Sequence, residues 1–320
     1  MKRREFIAGT GSAVAWAAAG RAQEGKIAKV GILALGHPDP APLLKSLREA
    51  LRELGYEEGK NIQLELRSAQ GRPEQLPTLA AELVALKVAV IVAFQTPAAT
   101  AAKRVTTDVP IVMDTVGDPV GTGLVASLAR PGGNVTGVTG ATSELGAKNL
   151  ELAREVLPSL RRAAVLANAP DPFSKPFLEH LQDAATMLKI EINPIKVSRA
   201  DELEADFAAV ANWQAQAVVV QPSLPEKQIA ELALKYKVPA FAPTAGFPAL
   251  GGLMSYSADL GALYRKGARF IDEILKGRNP ADLPVELASK FLLIVNLKTA
   301  KALGITVPES ILSRADAVLH

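Results

Sequence analysis

From residue 26 onward the hydrophobic positions switch between two periods. Residues 27–35 read IAKVGILAL, a continuous apolar run that predicts a strand covered on both faces of a parallel sheet. Residues 42–54 place Leu43, Leu44, Leu47, Leu51 and Leu54 at helical spacing and stop at Gly55, a residue suited to ending a helix. The alternation continues with a strand over 61–67, a helix over 74–86, a strand over 88–94 and a helix over 97–105. A strand over 111–116, a helix over 120–129 and a strand over 135–139 close the first series.

A second series repeats the pattern. It predicts helices over 144–156, 176–188, 201–211 and 225–236, interleaved with strands over 163–167, 190–197, 217–221 and 238–242. A strand over 253–256, a long helix over 259–276, strands within 285–295 and a short helix over 297–303 follow. Alternating strands and helices imply parallel sheets covered by helices. Two series of similar length imply an α/β protein of two doubly wound, Rossmann-like lobes. No Pro-rich tether separates them, so several short crossings are expected.

In such sheets ligands bind beyond the carboxyl ends of the strands. The residues there share a device, a polar side chain followed by proline and a helix. Thr96-Pro97-Ala98 follows the third strand, with Thr96 as the expected N-cap and the next backbone N–H groups available to an anionic group. Gly117-Asp118-Pro119 follows the fourth, and Asp118 is placed to pair with an ammonium or accept from a hydroxyl. The second series offers Asn168, Ser223 and the Pro243-Thr244 turn, with Phe173, Phe241 and Tyr256 as apolar faces for a small molecule. Helix capping alone also explains a Thr or Asp before proline.

Composition narrows the chemistry. The 320 residues hold no cysteine, which excludes disulfides, thiolate nucleophiles and cysteine-bound metals. The three histidines, His37, His180 and His320, are far apart, and no HExxH, GxSxG, P-loop or GxGxxG stands at a strand-to-helix turn. No catalysis, cofactor or metal is expected.

Residues 1–22 carry four basic side chains against Glu5, which accounts for the whole formal charge of +3 and leaves the remainder neutral. A neutral body argues against a nucleic-acid partner. The start itself, MKRREFI followed by a Gly/Ala-rich apolar stretch and Gly20-Arg21-Ala22, has the basic, apolar and small-residue parts of an export signal ending before Gln23. The pair Arg3-Arg4 resembles the twin-arginine type, and implies passage through the twin-arginine machinery to the periplasm.

Several longer segments carry a family resemblance. They are LRELGYEEGKNIQLELR (51–67), GRPEQLPTLAAELVALKV (71–88), TPAATAAK (96–103), VGDPVGTGLVASLARPGGNVTGVT (116–139), GGLMSYSADLGALYRKGARFIDEILKG (251–277) and LPVELASKFLLIVNLKTAKALGITVP (283–308). In these the chain resembles the substrate-binding proteins of ABC importers, tryptophan/tyrosine-type or of uncharacterised specificity, with the type I periplasmic-binding-protein fold. The resemblance implies two lobes joined by three crossings, one lobe of residues 26–139 plus 257–283 and another of 140–256 plus 284–320. It implies a hinge closing on a small organic solute such as an amino acid, and delivery by a monomer to an ABC permease in the inner membrane. It also implies solute contacts at Thr96, Pro97, Ala98, Asp118 and Tyr256. A sensor or accessory binding protein of the same fold, signalling to a membrane receptor, is the alternative. A regulator of the same fold would need an N-terminal DNA-binding helix pair, which residues 1–22 do not supply.

Overall fold

The computed structural model describes residues 27–36 and 41–320. The export signal expected over 1–22 and His37 lie outside these residues. Thirteen strands and ten α-helices form the described chain. The first series gives β1 (Ala28–Ala34), α1 (Ala41–Glu53), β2 (Ile62–Ser68), α2 (Leu76–Ala85), β3 (Val90–Phe94), α3 (Thr96–Val105), β4 (Ile111–Val116) and β5 (Val135–Thr139). The second gives α4 (Thr142–Val156), β6 (Arg162–Asn168), α5 (Ser174–Leu188), β7 (Glu191–Val197), α6 (Leu203–Asn212), β8 (Ala217–Val220), α7 (Glu226–Lys235), β9 (Ala240–Phe241) and β10 (Met254–Ala258). The chain ends with α8 (Leu260–Leu275), β11 (Glu286–Leu287), β12 (Phe291–Asn296), α9 (Leu297–Ala302), α10 (Glu309–Leu312) and β13 (Ala317–Leu319).

Two sheets result. One has the order β11-β5-β4-β3-β1-β2, the other β13-β12-β10-β9-β8-β6-β7. Every pairing is parallel except β10 with β12. The continuous apolar runs stand inside the sheets: β3, β5 and β8 are buried at every position. The half-exposed strands β2 and β7 are edges, and β7 carries Pro194, which an edge tolerates because one side needs no ladder bond. Each sheet has an apolar core on both faces, so the lobes are separately cored.

Three crossings join the lobes, and all are short. The first runs from β5 into α4, which packs on β10. The second leads from β10 into α8, which lies against α1, β4 and β5 of the first lobe. The Tyr56 hydroxyl donates to Asp272 Oδ1 at 2.9 Å and ties this late-returning helix to the end of α1. The third leads from β11 to β12. Glu286 and Leu287 pair with Val138 and Thr139, so the chain leaves the first sheet later than the boundary expected after residue 283. Ser257 and Ala258 still pair with β12, so the second crossing also falls slightly later than residue 256.

One expected element is absent. Residues 120–129 form consecutive turns and bends in place of a helix. Asp118 Oδ1 accepts from the N–H groups of Val120 and Gly121, Thr122 bonds back to the Asp118 carbonyl, and Gly123 adopts a φ of 71°. The loop still anchors the core through the buried Leu124 and Val125. Its apolar spacing records that burial, and the Gly-rich start denies it a helix.

Candidate functional site

In the first lobe the chain leaves β3 through Gln95, whose φ of 70° and ψ of 157° fall in a region that side chains rarely adopt. Gln95, and not Thr96, is the N-cap of α3. Thr96 is the first helical residue, with Pro97 behind it where a missing N–H costs no hydrogen bond. The Thr96 hydroxyl is thereby released from capping and accepts from the Gly117 N–H at 3.2 Å. On the other side Thr139 Oγ1 donates towards the carbonyls of Val116 and Gly117, at 2.9 and 2.6 Å. Three strand ends, those of β3, β4 and β5, are thus laced together around Gly117.

In the second lobe a buried carboxylate does the lacing. Asp171 Oδ1 accepts from the Phe173 N–H at 2.9 Å, while Oδ2 accepts from Gln221 Nε2 at 3.0 Å and from Ser223 Oγ at 2.8 Å. Gln221 Oε1 in turn accepts from the Asn168 N–H, and Asn168 Nδ2 donates to Ser223 Oγ at 3.0 Å. Burial pushes the Asp171 carboxyl up to about 6, against the downward pull of its three donors. The network braces the loop after β6 against the loop after β8 and fixes the position of Phe173.

The two laced edges meet. A Cβ placed on Gly117 would lie 2.3 Å from Phe173 Cδ2, so the ring packs directly on the glycine backbone of the opposite lobe. Phe173 is 3% exposed, its other side supported by Phe177 with the centroids 5.6 Å apart. The carboxyl ends of the strands in the two sheets therefore confront each other, as a cleft between lobes requires. Behind them Tyr256 sits on the strand that leads into the second crossing. Its ring stacks on Phe291 at 5.9 Å, and the buried Asn149 side chain holds both its N–H and its carbonyl.

Backbone strain has the same distribution. Lys87, Lys189, Gln214 and Lys237 have positive φ just past the ends of α2, α5, α6 and α7, an ordinary way to finish a helix. Among the described residues the remaining positive-φ positions other than glycine are Gln70, Gln95, Thr115, Ala141 and Ser223. All five stand at or just beyond the carboxyl ends of strands. Thr115 accompanies a register shift between β4 and β5, which re-aims the end of β4.

The residues singled out in the sequence separate into groups. Asp118, Phe173 and Ser223 lie on the confronting loops, Thr96 opens α3, Asn168 closes β6, and Tyr256 lies at the crossing. Pro97 and Ala98 stand at the start of α3 but are buried in the first-lobe core. Asp118 caps a turn instead of a helix, with Oδ1 already engaged. Phe241 is a correction: it is fully buried in the second-lobe core, among Met254, Leu293 and Val295, and offers a solute no surface. It is the last residue of a two-residue strand, and its side chain packs between the sheet and the helices that cover it. The turn Gly117-Asp118-Pro119 was expected at the cleft, but the bracing roles of Asp171 and Gln221 were not read from the sequence. The motif Asp171-Pro172 reads as a plain turn until the loop it is tied to is known.

Two further acids stand out. Asp114 on β4 is completely buried, and neither carboxyl oxygen has a hydrogen-bond partner among the described residues. Burial pushes it up to about 8, against a weak pull from the Thr115 N–H. Gly267 of α8 makes room for it, since a Cβ there would lie 2.6 Å from Oδ2. Glu226 opens α7 at the edge facing the cleft, and burial likewise pushes it up to about 7. Among the described residues no group of three His, Cys, Asp or Glu could hold a metal ion, and no helix is long and apolar enough to cross a membrane.

Comparison with known proteins agrees with this geometry. A family model for ABC transporter substrate-binding proteins matches residues 29–319. A tyrosine-binding protein of Clostridioides difficile (strain R20291) is 30% identical over 272 residues, which is 83% of this chain and 78% of the relative. A solved domain from Streptococcus pneumonia in complex with L-Trp superposes with a TM-score of 0.85 at 28% identity, covering 92% of this chain and 100% of that one. A ligand-free, open structure of a substrate-binding protein with adhesive properties from Clostridium difficile has nearly the same identity, 26%, and covers 92% of this chain and 99% of that one. Its TM-score is lower, 0.66. The lobes described here thus stand nearer to the arrangement of the L-Trp complex than to that of the open form, in keeping with the packing of Phe173 on Gly117.

Proposed function

The chain belongs to the family of ABC transporter substrate-binding proteins, and from that premise we propose that its solute is an α-amino acid, aromatic ones first, held between the lobes and passed to an ABC permease in the inner membrane. The observation that carries this reading is the meeting of two strand-end edges at Gly117 and Phe173. One edge supplies the start of α3 for a carboxylate. The other supplies the loops after β6 and β8, braced together by Asp171. The relatives named above, one a tyrosine-binding protein and one complexed with L-Trp, support an amino acid as the class.

The protein works as a monomer without catalysis: the site holds hydrogen-bond donors and carboxylates, and its role is to close and release. Residues 1–22 direct it to the periplasm by the twin-arginine route, and replacing Arg3 and Arg4 by lysine retains it in the cytoplasm. Ligand that binds the native state alone adds about 2.7 kcal/mol at a hundredfold excess over Kd. For a chain of this size that raises the melting temperature by about 4 °C. A melting screen over the amino acids therefore shows a selective rise with tyrosine or tryptophan. A flat response across the set, from folded protein, contradicts the reading.

A further inference from the structure

The three crossings are tied to one another between the lobes. The Ala288 N–H donates to the Thr139 carbonyl at 2.9 Å, which joins the third crossing to the start of the first. The Asp259 N–H donates to the Lys290 carbonyl at 2.9 Å, and Lys290 Nζ pairs with Asp259 Oδ2 at 2.8 Å, which joins the second to the third. A Cβ placed on Gly140 would lie 4.0 Å from that of Ala258, so the first and second run side by side. A rotation of one lobe against the other is therefore concentrated in residues 140–143, which enter α4, and 257–258, which leave β10.

Those residues are not at rest. Ala141 is the N-cap of α4 with a φ of 54° and a ψ of 40°, the left-handed region that a Cβ makes unfavourable. Its methyl also lacks the side-chain oxygen that ordinarily accepts from the first turn. Ser143, in that turn, is 2% exposed, and its hydroxyl has no hydrogen-bond partner among the described residues. Ser257, near the end of β10, is also 2% exposed and its hydroxyl is in the same condition. A buried hydroxyl without a partner raises the free energy of the arrangement that buries it, because it has lost water and gained nothing. The backbone offers no local remedy. The Ala141 carbonyl accepts from the Leu145 N–H at 3.0 Å, Ser257 is held in the ladder opposite Leu292, and Asn149 grips Tyr256 through both its N–H and its carbonyl.

We propose that Ala141, Ser143 and Ser257 form a spring that opposes closure. With the lobes packed through Phe173 on Gly117, as here, one residue is strained and two hydroxyls are stranded. Separating the lobes lets residues 140–143 relax and admits water to both hydroxyls. The solute-free protein is thereby held open, and part of the solute's interaction free energy goes into closing it. Apparent affinity is lowered by the fraction of molecules already closed, so the spring tunes affinity without touching the solute. This deepens the reading that an amino acid binds between the lobes and takes its probes from that reading.

An unpartnered hydroxyl near a cleft has another possible role, which is to bind the solute. The two roles have opposite signs. Deleting a hydroxyl that binds solute weakens binding, whereas deleting one that opposes closure tightens it.

Ser143→Ala, Ser257→Ala and Ala141→Gly each remove one part of the spring. In calorimetric titration with L-tyrosine and L-tryptophan, each variant is expected to bind about fivefold or more tightly than wild type, the effect of relieving one stranded hydroxyl or one left-handed residue. Single-molecule energy transfer reads the closed fraction without solute. The chain has no cysteine, so one cysteine introduced on an exposed helix position of each lobe carries the dyes. The variant combining all three substitutions is expected to close without solute more often than wild type. Weaker binding in either serine variant makes that hydroxyl a solute contact and overturns the proposal, and so do unchanged affinities across the three. Wild type already closed without solute overturns it too. If wild type binds neither amino acid, the amino-acid reading falls and energy transfer alone decides the spring. A larger closed fraction in the combined variant then upholds it, and an equal fraction overturns it.

Discussion

Phe173 of the second lobe lies on the bare backbone of Gly117 in the first, so close that a single added methyl would stand 2.3 Å from its Cδ2. Gly117 is fixed from its own side by Thr96 and Thr139, and Phe173 from its own side by Asp171. Neither partner can yield without breaking a network behind it. A stop that limits how far the lobes close is the role such a contact predicts.

Replacing Gly117 with alanine obstructs that stop. The substituted lobe keeps its own core, because the methyl clashes only with the opposite lobe. Solute affinity is expected to fall about tenfold, the effect of roughly 1.4 kcal/mol lost from the closed state, while the melting temperature of the solute-free protein stays within about one degree. Calorimetric titration against a melting curve separates the two effects. Unchanged affinity would deny the contact any part in closure.

Asp171 braces two loops from inside. Removing its carboxyl in Asp171→Ala strands the buried donors of Gln221 and Ser223 and is expected to cost about 1–3 kcal/mol in urea unfolding. Its pH behaviour has a definite sign. The native carboxyl holds its proton up to about 6, above the ordinary 3.8, so its contribution to stability is full below about 4 and is lost as pH rises through about 6. The stability of wild type relative to Asp171→Asn should decline over that window. A rise would mean that the donors outweigh burial.

Asp114 gives a second, independent titration at the interface of β4 with α8. Its carboxyl is pushed up from 3.8 to about 8, with burial as the main cause. Wild type is expected to lose stability relative to Asp114→Asn steadily between about pH 4 and pH 8, and to show no further difference above. Paired urea titrations across that range read the effect directly. A constant difference would mean that Asp114 is already ionised in the native state.

Asn149 holds the strand that enters the second crossing. Its side chain donates to the carbonyls of Leu145 and Tyr256 and accepts from the Tyr256 N–H, all out of contact with solvent. Asn149→Ala leaves the Tyr256 backbone groups unpaired and is expected to destabilise by about 1–3 kcal/mol. Hydrogen exchange at the Tyr256 amide should speed up by more than at neighbouring amides of β10. Uniform acceleration would indicate a general loss of packing.

The lobes were legible in the sequence because buried parallel strands such as VIVAF and AVVV announce themselves as unbroken apolar runs. The cleft edge was legible as well, since polar-proline turns follow those runs. What could not be read was the division of labour within the edge. Thr96 looks like a cap, but Gln95 takes that place in a strained conformation and frees the Thr96 hydroxyl for Gly117. Phe241 looks like a cleft aromatic, but it lies within β9, where both faces of the sheet are covered, and it packs in the core. Asp171 and Gln221 are fifty positions apart, and only tertiary contact joins them.

The central claim is that two separately cored lobes close on a solute through these confronting edges. Small-angle scattering of the purified protein, first solute-free and then saturated with L-tryptophan or L-tyrosine, measures this most directly. A radius of gyration that shrinks on saturation in wild type, and shrinks less in Gly117→Ala, is the result expected. Saturable binding with no change in the radius of gyration would contradict the claim.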